Sequence, residues 1–200
     1  MTFLGLTILV GLIGLMVFYW FIYSKLDCNY LLSISQLNPE YFMNKYIWIT
    51  GASSGIGKSL ALYLCEISNK YNLSVKVIIS SRRESVLKEL KSELIKTHKI
   101  SENNVFVLPF DCNPEGIKTE DIVRHYKGIY YKILEHFNIK SIDILVNNAG
   151  FSQRTYFIDF NENDNLKMLN VNLTTPLILS KLVLNDIIND DNTVDSTNND

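Results

Sequence analysis

The sequence shows no excess of either charge and no pattern of paired cysteines. Lysine and arginine number 19 against 21 aspartate and glutamate residues, which gives a net charge of −2. Such a balance produces no broad positive field, so we expect no nucleic-acid partner. The cysteines, which are Cys28, Cys65 and Cys112, lack the C-x-x-C spacing of zinc ligands and redox pairs. We expect buried, unreactive thiols, without a disulfide framework and without a metal site.

The longest apolar run lies at the N-terminus, where residues 3–23 carry no charge. A helix of that length spans about 31 Å at 1.5 Å per residue, close to the thickness of the hydrocarbon core of a bilayer. Tyr19, Trp20 and Tyr23 lie at its C-terminal end, where aromatic rings favour the headgroup region. We therefore expect residues 1–24 to form a single transmembrane anchor. A cleavable signal peptide and a buried globular helix stay open as alternatives, and so does the side of the membrane.

The body of the chain alternates short β-rich runs with longer helical patterns, which is typical of a parallel α/β fold. A connector, residues 25–45, precedes the predicted α/β domain, residues 46–188. Residues 189–200 are rich in asparagine and aspartate, and we expect them to form a disordered tail. The predicted strands are 46–50, 74–80, 104–110 and 142–147, and the predicted helices are 56–69, 84–97, 116–137 and 163–188.

A glycine-rich turn, TGASSGIG at residues 50–57, directly follows the first predicted strand and opens the first predicted helix. Backbone N–H groups and the positive end of the helix dipole then converge where a pyrophosphate group can bind. We expect Gly51 to permit the tight turn, Gly55 to permit close approach of a phosphate, and Gly57 to let the helix pack closely on the strand. The spacing GxxxGxG differs from both GxGxxG and GxxxxGK[ST], and it disfavours a P-loop.

Taken with later segments, this turn resembles the short-chain dehydrogenase/reductase family, whose members carry TGxxxGIG at this position. The resemblance spans about residues 45–184 and includes ISSRR, LPFDC, NNAG and LNVNL in the family's order. It implies the N-terminal half of a doubly wound parallel Rossmann sheet, with strand order 3-2-1-4, preceded by a single transmembrane helix. It also implies a catalytic-site residue, Asn172, which helps hold a proton-relay water in the family. The implied cofactor-binding residues are Gly51, Ser53, Ser54, Gly55, Ile56, Gly57, Ser81, Arg82, Arg83, Asp111, Cys112, Asn148, Ala149 and Gly150.

The implied cofactor is NADP. Family members read the adenosine ribose at the end of the second strand, where an acidic residue favours NAD. In this chain Ser81 leaves room, and Arg82 and Arg83 can pair with a 2′-phosphate. A solvated helix start stays open as the alternative role of the two arginines. The resemblance also implies that Asp111 lies beside the adenine, with Cys112 supplying neighbouring backbone.

Within the family the chain is most similar to membrane-anchored members, which are the member 7 reductases and, more loosely, the 11-beta-hydroxysteroid dehydrogenases. This similarity implies an oxidoreductase that transfers a hydride between NADP(H) and a lipophilic carbonyl or alcohol, such as a steroid or retinoid. It implies a single-pass protein of the endoplasmic reticulum membrane. The implied partners are the lipid bilayer, the lipophilic substrate and, in a homodimer, a second copy of the chain.

The family's Ser-Tyr-Lys catalytic set has no counterpart after Asn172, because residues 173–200 contain no tyrosine. The phenol exchanges a proton during hydride transfer, and an adjacent lysine lowers its pKa, so the chemistry needs both. A YxxxK pattern from Tyr41 to Lys45 precedes the first strand, away from the carboxyl ends where a cofactor would lie. We expect this chain alone to be truncated and inactive, with the gene product either continuing past Asp200 or degenerate. A non-catalytic nucleotide-binding or partner-binding protein stays open as the alternative.

Overall fold

A computed structural model describes residues 11–20, 38–154, 156–159 and 161–197. The chain divides into two compact units, Met1–Tyr41 and Phe42–Asp200, which are described separately. In the first unit, Gly11–Trp20 forms a short apolar helix, α1, whose side chains are exposed. Its length is about half of what a helix needs to span a bilayer. The rest of the predicted anchor lies outside the described residues, so the transmembrane helix stays a prediction.

The second unit is built on a four-stranded parallel sheet. The strands are β1 (Tyr46–Thr50), β2 (Lys76–Ser81), β3 (Val105–Pro109) and β4 (Ile144–Val146), in the spatial order β3-β2-β1-β4. Ile49 pairs in register with Ile79 on one side and with Val146 on the other. The predicted α/β fold and its strand order are therefore confirmed. All carboxyl ends lie at one rim of the sheet, and the strand order reverses between β1 and β4.

Helices connect the strands and cover both faces of the sheet. They are α2 (Gly55–Tyr71), α3 (Glu84–His98), α4 (Ile122–Phe137), α5 (Glu162–Leu169) and α6 (Thr175–Thr197), and a π-helical segment, Asn170–Thr174, joins the last two. Leu64 of α2 and Leu87 of α3 are buried in the core on one face. Tyr130 of α4 and Leu179 of α6 are buried with Trp48 in the core on the other face. The sheet is thus covered on both sides, as its continuous apolar strands require.

The central strand carries a large side chain whose polar atom is satisfied inside the core. Trp48 is fully buried, and its Nε1 donates a hydrogen bond to Ser80 Oγ at 2.8 Å. The Ser80 hydroxyl in turn donates to the carbonyl oxygen of Ile49 at 3.1 Å. Because a buried donor without a partner costs about 1–3 kcal/mol, this chain of bonds lets an indole occupy the middle of the sheet.

The predicted helix 163–188 is divided into α5, the π-helical segment and α6. Two helix ends differ from the prediction by more than two residues. α4 begins at Ile122 instead of residue 116, because Gly116 has a φ of +72° and a 3-10 turn, Thr119–Asp121, precedes the helix. α6 runs to Thr197, so residues 189–197 are helical where the sequence predicted a disordered tail. No glycine or proline interrupts residues 177–197, and a helix can continue through asparagine and aspartate although they are weak helix formers.

The helical stretch Glu162–Asn189 is long and apolar enough to cross a membrane, by length and composition. Three of its apolar residues, Val171, Leu179 and Val183, are buried in the core that contains α4 residues and Trp48 of the sheet. Some of its apolar residues are therefore explained by packing in the protein core. In the described part of the chain, Leu173, Leu177 and Leu184 are exposed on it.

Candidate cofactor site

The glycine turn after β1 makes close contact with the NNAG segment after β4. Gly51 has a φ of +68°, and a Cβ there would lie 2.8 Å from the Cα of Ala149. A Cβ on Gly57 would lie 2.6 Å from the carbonyl oxygen of Gly51, so this glycine brings α2 close to the turn itself. Gly55 has a φ of +55°, and a Cβ there would meet open space. Gly51 thus lies in a tight turn, and Gly57 lies against that turn and the side chain of Asn148. The role of Gly55 towards a phosphate stays a prediction.

The first turn of α2 offers free backbone donors. Ser54 is the N-cap residue, and its side chain makes no capping hydrogen bond. The first N–H groups of a helix have no partner within the helix, and they bind anions well. Ile56 is 80% exposed at this point. The helix start is therefore open to a phosphate group.

Thr50 ties the ends of β1 and β4 together through its side chain. Its hydroxyl oxygen accepts hydrogen bonds from the backbone N–H groups of Asn148, at 3.0 Å, and Ala149, at 3.1 Å. The same hydroxyl donates to the carbonyl oxygen of Val146 at 3.2 Å. The side-chain Nδ2 of Asn148 donates to the carbonyl oxygens of Thr50, at 3.0 Å, and Gly51, at 3.2 Å. The sequence motifs indicated Asn148 as a site residue but not Thr50, which links the two strand ends. The available signal for Thr50 was a hydroxyl residue at the end of β1, directly before Gly51.

These elements surround a cleft of about 420 Å³ at the carboxyl rim of the sheet. Two predicted residues, Gly55 and Gly57, do not line it. The structure brings together the other predicted cofactor-binding residues, which are Gly51, Ser53, Ser54, Ile56, Ser81, Arg82, Arg83, Asp111, Cys112, Asn148, Ala149 and Gly150. The lining also contains four residues that the sequence did not indicate, which are Phe110, Phe151, Lys167 and Val171.

Two arginines lie at the β2 side of the cleft, and both are exposed. The Arg83 Nη2 donates to Ser53 Oγ at 3.1 Å, so its guanidinium reaches the glycine turn. The Arg83 backbone N–H donates to Ser81 Oγ at 3.3 Å. Among the ion pairs of the described residues, neither Arg82 nor Arg83 has a carboxylate partner. Their charges are therefore available to an anionic ligand.

The loop after β3 is held by hydrogen bonds to its backbone and to one side chain. Asp111 Oδ1 accepts from the N–H of Asn113 at 2.9 Å. The carbonyl oxygen of Cys112 accepts from Tyr126 OH, at 3.0 Å, and from Thr175 Oγ1, at 2.8 Å. The backbone of Cys112, which lines the cleft, is thus fixed from the interior of the protein, and its role beside an adenine stays a prediction.

The thiols that the structure describes are buried and free, as expected from their spacing. Burial raises the pKa of Cys112 to about 12, with the Asp111 charge adding to the shift and Arg82 opposing it. Burial alone raises the pKa of Cys65 to about 12. Both are therefore neutral at physiological pH and poor nucleophiles. Cys28 lies outside the described residues.

Asn172 lies in the π-helical segment, a feature that is frequent at functional sites. Its Oδ1 accepts from the N–H of Phe151 at 2.9 Å, and its Nδ2 donates to the carbonyl oxygen of Phe151 at 2.8 Å. Both side-chain atoms therefore clamp the segment that follows NNAG, and Asn172 does not line the cleft itself. Its implied catalytic role stays a prediction.

The YxxxK pattern from Tyr41 to Lys45 ends at a residue that does not line the cleft. Lys45 pairs with Asp143 at 2.6 Å, and Asp143 Oδ2 accepts from the N–H of Tyr46 at 2.8 Å. Because these residues precede β1 and β4, the ion pair lies at the amino edge of the sheet. No histidine lines the cleft, and the described residues contain no cluster that could ligate a metal.

A glycine turn between a strand and a helix start, at the reversal of strand order in a parallel sheet, defines a dinucleotide-binding domain of the Rossmann type. The short chain dehydrogenase family matches residues 45–194, and the chain belongs to this family of oxidoreductases. The resemblance seen in the sequence motifs is thereby confirmed. NAD or NADP is the cofactor typical of the family.

Relatives cover the same part of the chain. Dehydrogenase/reductase SDR family member 7 of Homo sapiens is 32% identical over 147 residues, which are 73% of this chain and 39% of the relative. The NADP-dependent 3-hydroxy acid dehydrogenase of Schizosaccharomyces pombe is 33% identical over 141 residues, or 70% of this chain and 48% of the relative. An alcohol dehydrogenase from Thermococcus sibiricus, solved with 5-hydroxy-NADP, gives a TM-score of 0.58 at 24% identity, over 72% of this chain and 53% of that one. The chain spans about two fifths to one half of the length of these proteins.

Proposed function

We propose that the second unit binds NADP in the cleft and selects it over NAD. The observation that carries this proposal is the pair Arg82 and Arg83, both without a carboxylate partner among the described residues, beside Ser81 in place of an acid. Guanidinium groups bind phosphate strongly, whereas a carboxylate at this position would repel it. A relative that shares this part of the chain is named as NADP-dependent, and this supports the same choice.

The other residues of the cleft suit the rest of the dinucleotide. The free N–H groups at the start of α2 would hold the pyrophosphate, and Gly51 lets the turn lie close against Ala149. Asp111 and the backbone at Cys112 would border the adenine. NADP, when bound, supplies or accepts the hydride, and the residues described orient it at the rim of the sheet.

The reaction we propose is hydride transfer between NADP(H) and a lipophilic carbonyl or alcohol, such as a steroid or retinoid. The support is the uncharged run at residues 3–23, since a membrane anchor suits a substrate that partitions into lipid. We further propose a single-pass location in the endoplasmic reticulum membrane and a homodimer. The chain of residues 1–200 alone should show little turnover, because no tyrosine follows Asn172.

Titration calorimetry with NADPH and NADH tests the cofactor proposal on the full chain in detergent micelles. We expect wild type to bind NADPH more tightly, and Arg82→Ala with Arg83→Ala to weaken NADPH by about 10- to 100-fold, as for lost hydrogen bonds between charged groups of about 1.5–3 kcal/mol. NADH affinity should stay unchanged. Arg124→Ala is the matched control, because Arg124 is an exposed arginine outside the cleft. Equal losses for both dinucleotides would contradict phosphate recognition.

A second candidate is a nucleotide-binding protein that does not turn over substrate. It is favoured by the clamp on Phe151, which engages both the Oδ1 and the Nδ2 of Asn172. Oxidation of NADPH with a lipophilic ketone tests the second candidate. Turnover by the 200-residue chain would exclude it.

A further inference from the structure

Lys167 is a cation of the cleft to which the proposed function assigns no role. It lies on α5, which leads into the π-helical segment and α6 on the face opposite α2 and α3. It lines the same cleft as Arg82 and Arg83. Lys167 takes part in none of the ion pairs formed by the described residues. Its charge therefore faces the cleft without a carboxylate to neutralise it.

The position of this ammonium group is set by its neighbours. Lys167 Nζ lies 4.8 Å from the centroid of the Phe151 ring, within the range of a cation–π contact. The backbone of Phe151 is in turn fixed by two hydrogen bonds with Asn172: its N–H donates to Oδ1 at 2.9 Å, and its carbonyl oxygen accepts from Nδ2 at 2.8 Å. An ammonium has three N–H donors, and a ring face removes none of its charge. The group is thus held in place while its donors stay available to a ligand.

The charges of the cleft exceed what one phosphate group requires. Arg82, Arg83 and Lys167 face a single acid, Asp111, whose Oδ1 already accepts from Asn113 at 2.9 Å. The two arginines lie together on the β2 side, whereas Lys167 approaches from α5. A ligand that matches this arrangement carries anionic groups at separate points.

We propose that Lys167 is a cofactor-binding residue that binds a second phosphate of the nucleotide from the α5 side. This inference rests on the proposed binding of NADP. The phosphate belongs either to the adenosine half or to the nicotinamide half of the dinucleotide, and the chemistry of recognition is the same for both. Fragments that carry one half each distinguish these two sources.

The test compares three variants of the full 200-residue chain in detergent micelles. Lys167→Met keeps the apolar stem on Phe151 and removes the charge, and Lys167→Arg keeps the charge. Lys181→Met is the control, because Lys181 is an exposed lysine on α6 outside the cleft. Calorimetry gives the Kd for NADPH, for adenosine 2′,5′-bisphosphate and for nicotinamide mononucleotide. Circular dichroism shows that each variant is folded.

We expect Lys167→Met to weaken NADPH about tenfold, equivalent to about 1.4 kcal/mol, with Lys167→Arg within about threefold of wild type and Lys181→Met unchanged. The fragment that loses affinity in Lys167→Met identifies the half that carries the phosphate. The difference between wild type and Lys167→Met should shrink at high salt, since the site is open to solvent.

Three results would overturn the inference. Wild-type affinity for NADPH in Lys167→Met, together with a loss in the variant that combines Arg82→Ala with Arg83→Ala, would leave the proposed function intact and make Lys167 a solvated cation. An equal loss in Lys167→Arg and Lys167→Met would assign the effect to packing on Phe151. A folded wild-type chain that binds no NADPH would refute the proposed function, and the role of Lys167 with it.

Discussion

Replacing Thr50 by valine should weaken the link between the two elements that form the cleft. Valine has almost the same shape as threonine, so the substitution removes a hydroxyl without opening a cavity. Thr50 is 2% exposed, and water cannot readily replace the lost group. The hydroxyl accepts from the N–H groups of Asn148, at 3.0 Å, and Ala149, at 3.1 Å, and it donates to the carbonyl oxygen of Val146.

The expected decrease in the free energy of unfolding follows from the hydrogen bond that each of these three groups loses. The Asn148 N–H keeps a contact with the Val146 carbonyl oxygen at 2.9 Å, whereas the Ala149 N–H loses the acceptor that the structure gives it. One partly buried donor without a partner, plus the weaker losses at the other two groups, amounts to about 2–3 kcal/mol. For a unit of this size the melting temperature should fall by about 4–12 °C.

Thermal unfolding followed by circular dichroism measures this change, and Thr50→Ser is the matched control. Serine keeps the hydroxyl and loses one methyl group, which costs about 1 kcal/mol. NADPH affinity should fall more in Thr50→Val than in Thr50→Ser, because the NNAG segment is no longer tied to the glycine turn. A melting temperature of Thr50→Val equal to that of wild type, or equal losses in both variants, would refute the reasoning.

Two further predictions concern the glycines and the thiols. Gly51→Ala should lower the free energy of unfolding, measured by urea titration, more than Gly55→Ala does. Both glycines have a positive φ, which costs alanine about 1–2 kcal/mol. Only at Gly51 would the new Cβ also lie 2.8 Å from the Cα of Ala149. Cys65 and Cys112, whose pKa burial raises from 9.0 to about 12, should resist iodoacetamide at pH 8 until the chain is unfolded. Their contribution to stability should be complete below about pH 9 and lost as the pH rises towards 12, because the unfolded thiols ionise first. A double Cys→Ala variant should therefore lose stability less steeply over that pH range.

The strands and most of the helix starts were predictable because each is encoded locally, whereas α4 begins at Ile122 instead of the predicted residue 116. β1 coincides with the predicted residues 46–50, and α3 begins at the predicted Glu84. The apolar runs and the glycine turn specify these elements without reference to distant residues. The end of α6 was not predictable in this way, since residues 189–197 are polar and their helix depends on continuing one that is packed at Leu179.

The site residues that belong to a sequence motif were predictable, whereas those that reach the cleft through the packing of helices were not. Arg82, Asp111 and Asn148 follow strands and were assigned by resemblance, and the structure gathers them at one cleft. Phe151 and Lys167 reach the same cleft only because the π-helical segment and the Asn172 clamp bring α5 over the NNAG segment. No local pattern in the sequence encodes that approach.

The double hydrogen bond to the Cys112 carbonyl has a consequence for how fast a nucleotide is captured. Tyr126 belongs to α4 and Thr175 to α6, so the border of the proposed adenine site is anchored to the interior of the protein. Its order is established during folding and does not have to be acquired when the nucleotide arrives. Association should then proceed in one kinetic phase, with a rate that rises linearly with nucleotide concentration and shows no plateau from a preceding rearrangement.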